Sequence, residues 1–159
     1  MRFFSPVLTA VALGVAAQDD SPIGAIFSEV FGGQNQDTLS TDSGIVSAGE
    51  TVHSISIRTG QGVNGVGINL TDYWGKKANG GNEFVKCMEA HWGDSNGKTR
   101  IRYIKLTTDT GKSISGGTTT TKTATICAPD GFELGGFIGY AGVGPDAVGV
   151  IWTNLQPID

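Results

Sequence analysis

The segment Gly136-Phe137-Ile138-Gly139-Tyr140-Ala141-Gly142-Val143-Gly144-Pro145-Asp146-Ala147-Val148-Gly149-Val150 places two runs of alternating residues on either side of a tight glycine-rich turn. After the turn, Val148, Val150 and Trp152 fall on one face of a period-two pattern, the signature of a half-buried strand. Taken on turn chemistry alone, Gly142 to Asp146 is a hairpin connection whose aspartate caps backbone N–H groups. The same alternation recurs upstream, in Ile55 with Ile57 and in Val66, Ile68 and Leu70.

Outward from that hairpin, the rest of the chain reads the same way. Its 25 glycines in 159 residues are about twice the average usage of roughly 7%, without a collagen period, so they punctuate short elements. Threonines cluster at 118–121, and β-branched residues favour strands. No long stretch has apolar spacing of three and four. Residues 18–30 have room for one helical turn around Ile26, Phe27 and Val30 but read mainly as a lead-in. Strands are expected near 44–48, 52–58, 63–73, 83–90, 99–108, 122–127, 132–138 and 147–155. Within Arg100-Ile101-Arg102-Tyr103-Ile104-Lys105-Leu106 the apolar parity switches between Tyr103 and Ile104, which predicts a bulge. Many short strands with glycine-rich turns describe an all-β sandwich, barrel or prism, without a linker or strict repeat to divide it.

The N-terminus reads as an export signal. Met1-Arg2-Phe3-Phe4 leads into an apolar run from Val7 to Ala17, and small residues at Val15 and Ala17 set a cut before Gln18. That run is shorter than the roughly 20 residues a membrane helix needs, so residues 1–17 are expected to leave a secreted, extracellular protein. Removing them from 159 leaves 142 residues, the usual size of one domain. The formal net charge is −4, becoming −5 once Arg2 is lost, which argues against nucleic acid or insertion into an anionic membrane as the principal business. Cys87 and Cys127 are the two cysteines, and in an oxidising route an isolated pair is expected to be bridged. Without flanking histidines they do not make a zinc site. Asn69-Leu70-Thr71 is a glycosylation sequon.

Catalytic constellations are thin. His53 and His91 are the only histidines available as a triad base, neither lies in a recognisable motif, and no Gly-x-Ser-x-Gly elbow occurs. Glu83, Glu89, Asp130, Glu133 and Asp146 are the carboxylates from which a glycosidase pair would be drawn, but spacing in sequence does not measure their separation. Lys98, Arg100, Arg102 and Lys105 form a local positive patch suited to an acidic polysaccharide, although alternating polar residues on a strand ordinarily make a solvated face.

The quoted C-terminal segment resembles the closing signature of the jacalin-related lectins, Gly-Phe-x-Gly, a short turn, then Gly-x-x-x-Asp followed by small and apolar residues and a glycine; every glycine of that frame is present. Upstream, Phe31-Gly32-Gly33 is similar to the family's aromatic-Gly-Gly opening, Val52 to Leu70 to its paired strands, and Asn79 to Phe84 to its second Gly-Gly loop. Glu89 to Gly93 and Ile104 to Gly111 resemble its middle strands. The resemblance implies a β-prism of three Greek-key sheets of about four strands each, filling residues 31–159 behind the signal (1–17) and the lead-in (18–30). It implies a sugar site without a metal or other cofactor: Asp146 as bidentate acceptor, Val143 and Gly144 as backbone donors after Gly142, and Gly32-Gly33 as the opposing wall. Glycines let N–H groups approach the ring oxygens, and a carboxylate accepts from adjacent hydroxyls.

Three departures stand out. Pro145 replaces a bulky apolar residue, Val143-Gly144 supplies no aromatic ring, and the stretch from Gly81 to Glu89 is short, which points to a truncated strand in the middle sheet, with the Cys87–Cys127 bridge tying two sheets together in compensation. The expectation is a lectin for mannose-like or glucose-like sugars on cell-wall or host glycans, with pairing into a homodimer left open. Its rivals are a polysaccharide-active enzyme using the carboxylates and an effector that keeps the prism without sugar binding.

Overall fold

A computed structural model describes residues 24–33, 38–44, 46–71 and 83–156. The predicted signal segment and the second Gly-Gly pair lie outside these residues. Eleven strands are described: β1 (Ala25–Phe27), β2 (Phe31–Gly32), β3 (Thr38–Thr41), β4 (Thr51–Thr59), β5 (Val63–Thr71), β6 (Val85–Ser95), β7 (Lys98–Thr108), β8 (Ser113–Gly117), β9 (Lys122–Cys127), β10 (Phe132–Ala141) and β11 (Pro145–Asn154).

They form three antiparallel sheets. One runs β1-β11-β10-β3 with β2 also on β11, a second pairs β4 with β5, and the third runs β8-β7-β6-β9. In the third, β9 returns to lie beside β6, which is Greek-key order. Each sheet turns one face to a common interior. Met88, Ala90, Ile101, Ile104 and Leu106 come from the third sheet, and Leu134, Phe137, Val148, Val150 and Trp152 from the first. The second lays Ile55, Ile57, Val66 and Ile68 against them. Three sheets around one core make the expected prism. Among the described residues the second sheet has two strands, where about four were expected.

Local chemistry explains where the fold departs from the expected strands. Of the strand expected at 44–48, the described residues Gly44 and Val46 to Ala48 are not in a strand. They belong to a bend that closes when Glu50 accepts from the Ser47 N–H and hydroxyl, and it tucks Val46 inward. Asp42 anchors the approach to this bend: its N–H donates to the Phe137 carbonyl at 3.0 Å, and its Oδ2 accepts the Phe137 N–H at 2.9 Å. Ala25–Phe27 is a short strand on β11, not a helical turn. The predicted bulge exists one residue early. His91 faces Tyr103 and Trp92 faces Ile101, leaving Arg102 as the extra residue.

Cys87 and Cys127 are bonded, with Cα atoms 4.0 Å apart. They face each other in register on the adjacent strands β6 and β9. The bridge therefore staples one sheet and does not tie two together. The strand that carries Cys87 is 11 residues long, so the short stretch before Glu89 does not truncate it.

Candidate functional site

β10 and β11 are joined by the turn Gly142 to Gly144, in which the Gly142 N–H donates to the Gly144 carbonyl at 3.2 Å. The ladder slips at this end: Tyr140 faces Ala147 while Ala141 faces Pro145, so Asp146 is a bulged residue. A bulge re-aims the side chain it carries. Here it turns Asp146 inward to 1% side-chain exposure, and Arg100 Nη1 lies 3.4 Å from its Oδ1. Val143, by contrast, stands at the tip of the turn with 96% of its surface exposed.

Residues more than 100 positions upstream complete the arrangement. Phe31 and Gly32 pair with Val148 and Ala147, and the Gly33 N–H donates to the Asp146 carbonyl at 3.0 Å. The Phe31 ring stacks on Trp92 of β6, 6.0 Å between centroids and 8° from parallel, which pins the start of the Gly-Gly segment. Gly32 has φ +113, and a Cβ there would collide with the Asp146 carbonyl oxygen; one on Gly33 would meet Thr99 Cβ at 2.5 Å. Gly32 is therefore required by close backbone approach and its positive φ, and Gly33 by the Thr99 side chain packed against it. The structure brings Gly32, Gly33, Gly142, Val143, Gly144 and Asp146 to one end of the prism, as the sequence grouped them. Arg100 and Thr99 of β7 join them; the sequence had set Arg100 in a positive patch along its own strand, not against Asp146, and had singled out no role for Thr99.

A cavity of about 320 Å³ adjoins the same turn, lined by Val143 and Gly144 together with Ser40, Asp42, Arg58, Asn64 and Tyr140. Asp42 is the one carboxylate among its lining residues. Hydrolysis by paired carboxylates needs two across a cleft.

The other acids are engaged elsewhere. Glu83 takes hydrogen bonds from Lys112, Thr108 and Thr110, which hold its pKa down to about 2, the Lys112 bond contributing most. Glu89 accepts from His91 Nε2 at 2.7 Å while the Thr120 N–H donates to His91 Nδ1 at 3.0 Å, so this histidine is a buried tie between β6 and the connection from β8 to β9. Asp130 lies 3.4 Å from Lys86, and Glu133 is buried within β10. His53 and Asn69 lie on β4 and β5, and their side chains are outside the described residues.

Comparisons with known proteins agree with this fold. The wild-type Malaysian banana lectin superposes with a TM-score of 0.64 at 26% identity, over 82% of this chain and 99% of its own. A mannose-specific jacalin-related lectin from Morus nigra, solved with mannose, has a TM-score of 0.61 at 17% identity, over 82% and 95%. AcmJRL, a mannose-binding jacalin-related lectin from Ananas comosus, also reaches 0.61 at 17%, over 82% and 99%. No curated protein matches by sequence. The jacalin-like lectin domain matches residues 28–151, a span that holds every residue of the site. The chain belongs to the jacalin-like lectin domain family.

Proposed function

We propose that this protein is a secreted, non-catalytic lectin that reads a mannose-like or glucose-like sugar, on a cell-wall or host glycan, at the end of the prism formed by Gly32-Gly33 and Gly142 to Asp146. The observation that carries this reading is the direct pairing of Phe31-Gly32 with Ala147-Val148. It sets two glycine-lined backbones beside a single exposed turn, with the Asp146 carboxylate buried next to it and paired with Arg100; glycine leaves backbone N–H groups open to hydroxyl-rich ligands. The mannose named for the Morus nigra and Ananas comosus proteins supports the choice of sugar class. Export rests on the apolar segment that ends at Ala17.

Asp146 is 1% exposed and lies 3.4 Å from Arg100, whose side chain is 28% exposed. A neutral sugar must therefore share or displace that ion pair. A glycan array followed by titration calorimetry on wild type and Asp146→Asn tests this role. The variant should bind about tenfold or more weakly, since a charge-assisted hydrogen bond contributes roughly 1.5–3 kcal/mol. Wild-type affinity in a folded Asp146→Asn protein would remove Asp146 from the site. The closed Asp146–Arg100 pair also favours a second reading, a prism kept for protein interaction without sugar binding. Silence of the folded wild type across the whole array would select it.

A further inference from the structure

We propose that the saccharide recognised at this end of the prism is anionic: a mannose-like or glucose-like ring bearing a carboxylate or a sulfate, held by Arg58 and Arg100 beside the Gly142 to Asp146 turn. This rests on the lectin reading and narrows its ligand.

The arginines are not scattered. The chain has four, and apart from Arg2 all of them, Arg58, Arg100 and Arg102, lie at this end. Lys86 and Lys112 pair with Asp130 and Glu83 away from it. In a chain of net charge −4, a local group of guanidinium ions sets up a field opposite to that of the molecule.

Arg58 is exposed on β4 and extends over its cross-strand neighbour Gly65, where a Cβ would stand 3.0 Å from its Nη2. The glycine leaves the space that the guanidinium occupies. Among the described residues Arg58 has no ion-pair partner, and it lines the cavity of about 320 Å³ with Asn64, Tyr140 and Val143. That volume is at the lower end for small-ligand pockets and suits one hexose ring. The cavity's single acid, Asp42, has its Oδ2 committed to the Phe137 N–H.

Arg100 contributes in a second way. Its Nη1 offsets the buried charge of Asp146, and the same atom would lie 3.8 Å from a Cβ on Gly144. The acid that would repel an anion is thus neutralised beneath the turn, while the planar fork has further N–H donors to offer. Arg102 runs along Gly62, adding positive field at the margin. A guanidinium matches carboxylate or sulfate oxygens with two parallel hydrogen bonds, which a neutral hydroxyl does not return.

The test is calorimetry on the full-length protein with equal-length oligosaccharides: neutral gluco- and manno-oligomers, oligoglucuronate, oligomannuronate and an O-sulfated glucan. Each is measured at low and high salt with wild type, Arg58→Gln and Arg100→Gln. At low salt at least one anionic oligomer should bind about tenfold or more tightly than its neutral counterpart, and the preference should shrink as salt screens the contact. Arg58→Gln should abolish that preference while neutral binding persists. The carboxylated and sulfated arms identify which oxyanion is read. Arg100→Gln uncovers Asp146 and can cost folding, so Arg58→Gln, on an exposed strand, tests the proposal independently of it. Equal or tighter binding of neutral oligomers, or an anionic preference untouched by Arg58→Gln, overturns the proposal and leaves the lectin reading standing. Silence with every oligomer overturns both.

Discussion

At Gly32 the backbone holds φ +113, and the space where a side chain would begin is filled by the Asp146 carbonyl. Strain at such a φ costs about 1–3 kcal/mol for an L-residue, and the collision with a paired strand adds to it. Gly32→Ala should therefore lower the urea midpoint by more than that strain alone and weaken glycan binding with it. Gly44→Ala is the control: nothing lies within 4 Å of its Cβ position, so its midpoint should stay close to wild type. At this scale the motif residues were legible because the Gly-Gly and Gly-x-x-x-Asp spacings resemble the lectin pattern, and at Gly32 the structure supplies the backbone reason for the glycine. Arg100 was not. The alternation along β7 tells which face its side chain takes, but not that Asp146 of β11 waits across the gap.

Strands with strong alternation, such as β5 and β11, could be read from their apolar residues, whereas β1, β2, β3 and β8 could not. These are two to five residues long. Edge segments such as Ser113–Gly117 carry little apolar signal, and what holds them is the ladder of a neighbour. The bulge at Arg102 was misplaced by one residue because Arg102 and Tyr103 are both half-buried and blur the parity. The disulfide belongs to this scale as well. It closes 40 residues, for which the chain-entropy account gives up to about 4 kcal/mol of stabilisation. Cys87→Ser with Cys127→Ser should lose about 2–4 kcal/mol in guanidinium unfolding, with little effect on sugar affinity, since the bridge staples β6 to β9 within one sheet. A matching loss of affinity would contradict the separation of staple and site.

Across the whole molecule the two ends of the prism do different work. β7 carries Thr99 and Arg100 next to its start, at the glycine loops, and finishes at Thr108, nine residues from Thr99 and about 30 Å away, where Glu83 gathers Lys112, Thr108 and Thr110. Its folded pKa, about 2 against an ordinary 4.5, fixes the sign of the linkage. A depressed carboxyl contributes stability that is complete above about pH 4.5 and disappears as pH falls through about 2. Glu83→Gln should flatten that part of the stability–pH curve while glycan affinity at neutral pH stays unchanged. A shift in affinity would show that the two ends communicate.

The sequence by itself determined the all-β class and the cysteine pair, because period-two burial and turn chemistry are local, while its resemblance to the jacalin-related lectins implied the family and the six residues grouped at the glycine loops. Tertiary structure alone decided that Asp146 is a buried bulge residue faced by Arg100, that the bridge lies within one sheet, and that Arg58 of β4 shares one end with Arg100 and Arg102 of β7. Those outcomes depend on how separate sheets close around a common core, and no short window of the chain specifies that contact.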